Sequence, residues 1–258
     1  MSLEITILGC GSSSGVPTIG NLWGNCNPKN KKNRRLRSSI LVKSKNSSIL
    51  IDATPDLRQQ MLNANISKLD AVLITHAHAD HIHGLDDFRF LNILMKKHLQ
   101  LYAKENVILD IKKKFGYVFD ELSPKAKGFY YKPCLIPNII SDSFQVNELK
   151  VSSFAQDHGF VETTGFRIND FAYSTDVVNL NEKAFSKLKN LKVWIVDCLR
   201  IKPHSSHAHL EKTLEWIKKV KPEKAILTHM NNESDYDELT SLLPKNCHVG
   251  YDGMKIKV

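Results

Sequence analysis

The chain has 258 residues, which suits one large α/β domain or at most two small ones, and its 42% hydrophobic and 24% charged content is ordinary for a globular protein. The net charge of +9 favours anionic partners such as phosphates or nucleic acid, although lysines scattered at Lys31 and Lys32, Lys112 to Lys114, and Lys218 and Lys219 also fit a solvated face or a compositional bias toward Lys and Asn. Five cysteines, an odd number without a C-x-x-C pair, argue against a disulfide framework, and no apolar run approaches a membrane span.

The chain opens with an expected strand, Leu3 to Leu8, and a Gly/Ser loop, Gly9 to Gly15. The start, Met1 to Gly9, is too short and polar for a secretory signal, so a cytoplasmic location is expected. A polar, basic stretch from Asn21 to Arg37 reads as a long loop. Strands follow at Ser39 to Val42 and Ser48 to Ile51, and Thr54-Pro55-Asp56 opens a helix that runs to about Ala64. Ala71 to Ile74 is a short apolar strand. Helical spacing then covers Asp86 to Lys97 and Asn106 to Phe115, with a strand at Leu99 to Tyr102 between them. Lys125 to Asn138 reads as irregular, and short strands dominate from Ile139 to Tyr173. The last third alternates helix and strand: Glu182 to Lys189, Val193 to Val196, Leu210 to Val220, Lys224 to Leu227, Asp235 to Leu243, and a terminal hairpin. No repeat or linker is visible, so residues 1–258 are expected to form one domain of two sheets with helices outside.

The chemistry gathers where the strand Ala71 to Ile74 ends, in Thr75-His76-Ala77-His78-Ala79-Asp80-His81. His76 and His78 share a face in extended backbone, and Asp80 and His81 reach a neighbouring position if the chain turns into a helix there. Three imidazoles and a carboxylate suit a divalent metal of borderline softness, such as zinc, manganese or iron. The small alanines permit close approach.

This segment resembles the H-x-H-x-D-H signature of the metallo-β-lactamase superfamily. The resemblance implies an α+β fold, the αββα sandwich of two mixed sheets flanked by helices, and a hydrolase with two divalent ions, Zn2+ or Mn2+. It continues along the chain. Asp52, after the strand Ile49 to Ile51, resembles a group that orients a ligand. Val151 to Gly159 offers His158, Ala172 to Asp176 offers Asp176, and Ile226 to His229 offers His229. On that mapping His76, His78 and His158 hold one ion, Asp80, His81 and His229 hold the other, and Asp176 bridges them. A water or hydroxide between the two ions is the implied nucleophile.

Val196-Asp197-Cys198-Leu199, Ser206 to Leu210 and Leu227-Thr228-His229 resemble the branch holding tRNA 3′-processing endonucleases and bacterial cyclic phosphodiesterases. There, a His at a helix start lies beside the scissile phosphate. His207 matches it by register better than His209, and with Asp80 it is the implied catalytic residue, acting as general acid. The loop Leu8 to Pro17 and the tail Val249 to Met254 are similar to this branch, the tail to the cyclic phosphodiesterases in particular. Those enzymes also carry clustered N-terminal cysteines for a structural zinc, of which only Cys26 is present. Lys112 to Lys132 offers a further substrate clamp or only a helix face and a loop. The expected substrate is a small anionic phosphodiester, cyclic, nucleotide-like or sugar-borne. RNA cleavage, thioester or lactone hydrolysis and a non-catalytic metal-binding module are the alternatives. The resemblance also implies a homodimer.

Overall fold

Strands that are apolar on both faces need cover on both sides, and this requirement sets the layers here. The computed structural model describes residues 2–120, 132 and 135–258. Its first half runs β1 (Glu4–Gly9), β2 (Ser39–Lys43), β3 (Ser48–Ile51), α1 (Leu57–Asn63), β4 (Ala71–Leu73), α2 (Ala79–Ile82), α3 (Phe88–Met95), β5 (Leu99–Ala103), α4 (Glu105–Phe115) and β6 (Leu135–Ile139). The second half runs β7 (Ser143–Val146), β8 (Leu149–Asp157), β9 (Glu162–Ile168), β10 (Phe171–Ser174), α5 (Glu182–Lys187), β11 (Val193–Asp197), α6 (Leu210–Val220), β12 (Lys224–Thr228), α7 (Tyr236–Leu242), β13 (Cys247–Val249) and β14 (Lys255–Lys257).

Two seven-stranded sheets result, ordered β14-β1-β2-β3-β4-β5-β6 and β13-β12-β11-β10-β9-β8-β7. Each begins with antiparallel strands and continues with parallel ones joined through helices. The fold class expected from the sequence is therefore present. The shared plan leaves no repeat in the sequence, because each half fills its layer with different side chains.

Between the sheets, Ile5, Ile7, Val42, Ile51 and Leu73 meet Phe166, Phe171 and Ile195 in one buried cluster. A second cluster covers the outer face of the first sheet, where Leu50, Val72 and Leu101 pack against Leu57 of α1, Phe88 and Leu91 of α3, and Ile108 and Ile111 of α4. Burying a side chain of this size contributes roughly 1.5–3 kcal/mol. No helix among the described residues is long and apolar enough to cross a membrane.

Three expectations change. The terminal hairpin does not form: β13 pairs in parallel with β12, while β14 pairs antiparallel with β1 in the other sheet. The segment Lys125 to Asn138 ends in strand β6, which lies at the sheet edge, where Pro137 costs no ladder bond toward solvent. Most of the rest of that segment lies outside the described residues. The helix expected from Asp86 to Lys97 starts with one 3-10 turn, Leu85–Asp87, and stops where Lys96 turns left-handed, φ 54°.

Candidate metal centre

The chemistry-bearing side chains leave the strand ends at one rim of the sandwich. Asp52 follows β3, Thr75 and His76 follow β4, and His158 follows β8. Asp176, Asp197 and His229 lie at the ends of β10, β11 and β12. Asp52, Asp176 and His229 all hold left-handed backbone, with φ of 67°, 54° and 60°. Such a conformation costs on the order of 1–3 kcal/mol at a residue with a Cβ and is found where function requires an unusual direction. Helix α2 presents Asp80 and His81. It is tied down by the Ala53 amide, which donates to the His81 carbonyl at 2.8 Å, and by the Gly84 amide, which donates to the Ala53 carbonyl at 2.9 Å. A Cβ on Gly84 would lie 2.1 Å from the Thr54 carbonyl oxygen, so only glycine allows this approach.

Among the described residues four groups of donor atoms form, each with its atoms within 4.8 Å of one another: His76, His78 and His158; Asp80, His81, Asp176 and His229; and two that include His207, one with His158 and Asp176 and one with Asp197 and His229. Asp176 stands between the first two. Its Oδ1 faces His76 Nε2 at 3.9 Å and His158 Nε2 at 3.7 Å, and its Oδ2 faces His81 Nε2 at 3.2 Å and His229 Nε2 at 3.4 Å. Asp80 Oδ2 lies 3.3 Å from His81 Nε2 and 3.7 Å from His229 Nε2. All seven residues named from the sequence are thus brought together.

Groups behind them fix the imidazoles. His81 Nδ1 pairs with Asp52 Oδ2 at 2.8 Å, and Asp52 Oδ1 accepts from the Thr75 amide, also at 2.8 Å. His158 Nδ1 donates to the Ser206 carbonyl at 2.7 Å. Each partner is an acceptor and so holds a ring proton on Nδ1, which would leave the Nε2 lone pair facing the cluster once a cation displaces the second proton.

This arrangement fits divalent cations. Buried His81 Nε2 and His229 Nε2 have no hydrogen-bond partner, although carboxylate oxygens lie close by. Buried polar atoms without partners are costly, and here they converge on shared points with ionised acceptors. Burial alone would raise the Asp176 carboxyl, but His229, His81 and His76 hold it well below the usual range. Asp80 is likewise held low against burial, chiefly by His81. Burial lowers His76. It opposes the charged form of His81 too, yet Asp176, Asp80 and Asp52 drive that imidazole well above its ordinary value. His229 is pushed up to about 9 against burial, mainly by Asp176. Two carboxylates therefore stay ionised among imidazoles, a donor set of the kind that binds zinc or manganese.

His207 also reaches the cluster, but not from a helix start. It lies in the loop before α6, whose N-cap is His209. Asp197 holds it in place: Oδ2 lies 3.0 Å from His207 Nδ1 and also accepts from the Val177 amide at 2.9 Å. His207 Nε2 is 4.0 Å from Asp176 Oδ1. Asp197 had no role assigned from sequence, although it carries the same signal as Asp52 and Asp176, an acid ending an apolar strand. Ser206, which acts through its carbonyl, carried no such signal. His204 also comes near, its ring 5.3 Å from that of His207.

A family model described as the Beta-lactamase superfamily domain matches residues 47–230, from the start of β3 to just past His229. The chain belongs to the metallo-β-lactamase superfamily. Its place within that superfamily is the phosphodiesterase branch. A crystal structure of a new diphosphatase from the PhnP family aligns with a TM-score of 0.90 and 31% identity, covering 100% of this chain and 98% of that one. A ribonuclease Z of Staphylococcus epidermidis is 21% identical over 93% of this chain and 92% of its own length. An octanoyltransferase of Porphyromonas gingivalis is 34% identical over 98% of this chain but only 51% of its own, so the chain spans about half the length of that curated relative.

Proposed function

We propose that this member of a hydrolase superfamily is a phosphodiesterase acting on a small anionic phosphodiester. His76, His78 and His158 would hold one divalent ion, Asp80, His81 and His229 the second, with Asp176 between them. When bound, such a pair supplies a water of lowered pKa and withdraws charge from phosphate oxygens.

The observation that carries the reading is a sixth imidazole, His207, beside the five of the two donor groups. His207 lies outside the His76 and His81 donor groups but within reach of both, beside His158 and Asp176 and beside His229; its Nε2 faces the shared carboxylate, and Asp197 takes its Nδ1 and so turns it from ligand toward proton donor. Asp197 accepts the Nδ1 proton and so fixes the ring's orientation, leaving Nε2 to carry a proton toward a leaving alkoxide. A phosphodiester needs that proton, because an alkoxide leaves poorly. A thiolate leaves without it, so thioester hydrolysis would not require His207. The whole-length likeness to a PhnP-family diphosphatase supports a small substrate. The name octanoyltransferase belongs to a protein about twice as long, half of which has no counterpart in this chain.

The net charge of +9 and the ribonuclease Z likeness favour one second reading, cleavage of RNA. Metal-loaded protein is to be assayed on bis(p-nitrophenyl) phosphate, a thioester and a tRNA precursor. Metal-dependent turnover of the phosphodiester, with weak and non-saturating turnover of the tRNA, is the expected result. Absence of phosphodiester turnover with both zinc and manganese removes the proposal.

A further inference from the structure

The resemblance to the cyclic phosphodiesterases implies a structural zinc on clustered N-terminal cysteines, and the residues here do not fit that ion. Cys26 is the one cysteine between Asn21 and Arg37, and among the described residues it joins no group of donor atoms close enough to share a cation. What faces its sulfur is itself a cation: Arg35 Nη1 lies 3.7 Å from Cys26 Sγ. A zinc ion at that thiol would stand against a fixed positive charge.

Arg35 is 1% exposed. Its Nη1 also donates to the Asn231 carbonyl at 3.2 Å, and its Nη2 donates to Asn33 Oδ1 at 3.3 Å and to the Ser234 carbonyl at 2.7 Å; Nε is left without a partner. The two carbonyls lie 196 and 199 positions away along the chain. Asn33 extends the tie, its Nδ2 donating to Asp235 Oδ2 at 2.6 Å, and the Arg35 backbone pairs both ways with Val16 at 2.9 Å. A guanidinium taken out of water is costly to keep, and its planar fork suits it to gather acceptors from separate segments at one point. The segment it gathers begins two residues after His229, whose own backbone is left-handed with φ of 60°.

We propose that Arg35 takes the place of a structural metal, a buried cationic clasp that fixes the Asn21 to Arg37 segment against the turn after His229 and so positions that ligand. The proposal rests on the two-ion reading only for its effect on His229.

Hydrogen exchange read by mass spectrometry tests the clasp. Wild type stripped of metal by chelator should keep residues 21–37 as protected as in the metal-loaded protein. Metal-loaded Arg35→Met should exchange about tenfold faster or more in residues 21–37 and 230–235 together, as loss of hydrogen bonds from a charged donor implies, and Arg35→Lys, which keeps the charge without the fork, should fall between. Chelator titration with elemental analysis should release the ion held by His229 from Arg35→Met at about tenfold lower chelator, with the other ion retained. Zinc-saturated wild type and Cys26→Ser should each hold two ions. A third tightly held ion in wild type, or loss of protection in residues 21–37 on stripping wild type, makes a metal the clasp and overturns the proposal. Unchanged exchange in Arg35→Met, or a change in one of the two stretches alone, overturns it too, and a second ion as hard to strip as in wild type overturns the positioning of His229. Where Arg35→Met does not fold, stripped wild type and Cys26→Ser still decide. Failure of the two-ion reading would show as fewer than two ions in wild type, while exchange decides the clasp.

Discussion

Asp52→Asn changes one oxygen to an amide nitrogen in a fully buried side chain, where the surrounding hydrogen bonds leave the new amide a single good orientation. The Thr75 amide donates to Asp52 Oδ1 at 2.8 Å, so an asparagine must keep its oxygen there. Turning the amide round would set two N–H groups against each other and leave a buried donor unpaired, at about 1–3 kcal/mol. The new NH2 group therefore faces His81 Nδ1, which Asp52 Oδ2 now meets at 2.8 Å. His81 can satisfy that donor only as an acceptor, which moves its proton to Nε2 and removes the lone pair pointing at the centre. Regaining the lone pair sets the His81 Nδ1–H against one amide N–H, both then unpaired, while the other amide N–H can still donate to Thr75 Oγ1. That cost of about 1–3 kcal/mol corresponds to roughly 10–100-fold weaker binding of the ion held by His81, the size expected for a group that orients a ligand. Elemental analysis of wild type and Asp52→Asn dialysed against graded chelator reads this directly. The variant should fold, retain one ion and lose the second at lower chelator. Two ions bound with wild-type affinity would refute the tautomer argument.

Other outcomes rest on the same geometry. His207→Ala should lower kcat on a diester with an alkoxide leaving group, such as 2′,3′-cyclic AMP, by roughly 10²–10⁴-fold, the usual worth of a general acid, but should change turnover of bis(p-nitrophenyl) phosphate, whose nitrophenolate leaves without a proton, far less, with metal content unchanged; steady-state kinetics with elemental analysis checks it. Asp197→Asn keeps an oxygen for His207 Nδ1 and the Val177 amide but removes the charge, so kcat should fall about tenfold. Burial of Asp252, whose oxygens accept from the Cys10 and Leu36 amides, raises its carboxyl to about 7, against about 3.9 for an unfolded chain. The folded state then binds this proton more tightly. The resulting stability is fully present below about pH 4, fades as pH rises and is lost above about pH 7, up to about 4 kcal/mol in all. Urea unfolding of metal-free protein between pH 5 and 8 should show this decline, and Asp252→Asn should lack that part of the slope. An identical slope in both proteins would contradict it.

The histidine cluster was legible because four donors fall within six residues after an apolar strand, where local geometry already gathers them. His158, Asp176 and His229 lie 77, 95 and 148 positions beyond His81. Only the family's order of motifs pointed to them; their meeting is a product of the two-sheet fold. The left-handed backbone at Asp52, Asp176 and His229 was hidden, since Asp and His do not mark positive φ as glycine does. Asp197 was missed because its role depends on which loop folds over it, and Ser206 because it contributes only a carbonyl. The stretch after Leu243 reads as a hairpin because a Gly-containing turn separates two short apolar segments. Tertiary packing sends β13 to one sheet and β14 to the other instead.

The central claim is that one carboxylate divides its two oxygens between two cations. Anomalous diffraction at a metal absorption edge, on crystals of zinc- or manganese-loaded protein, tests it most directly. Two peaks are predicted, one against His76, His78 and His158 and one against Asp80, His81 and His229, with an oxygen of Asp176 toward each. A single peak, or a pair lying away from Asp176, would contradict the account.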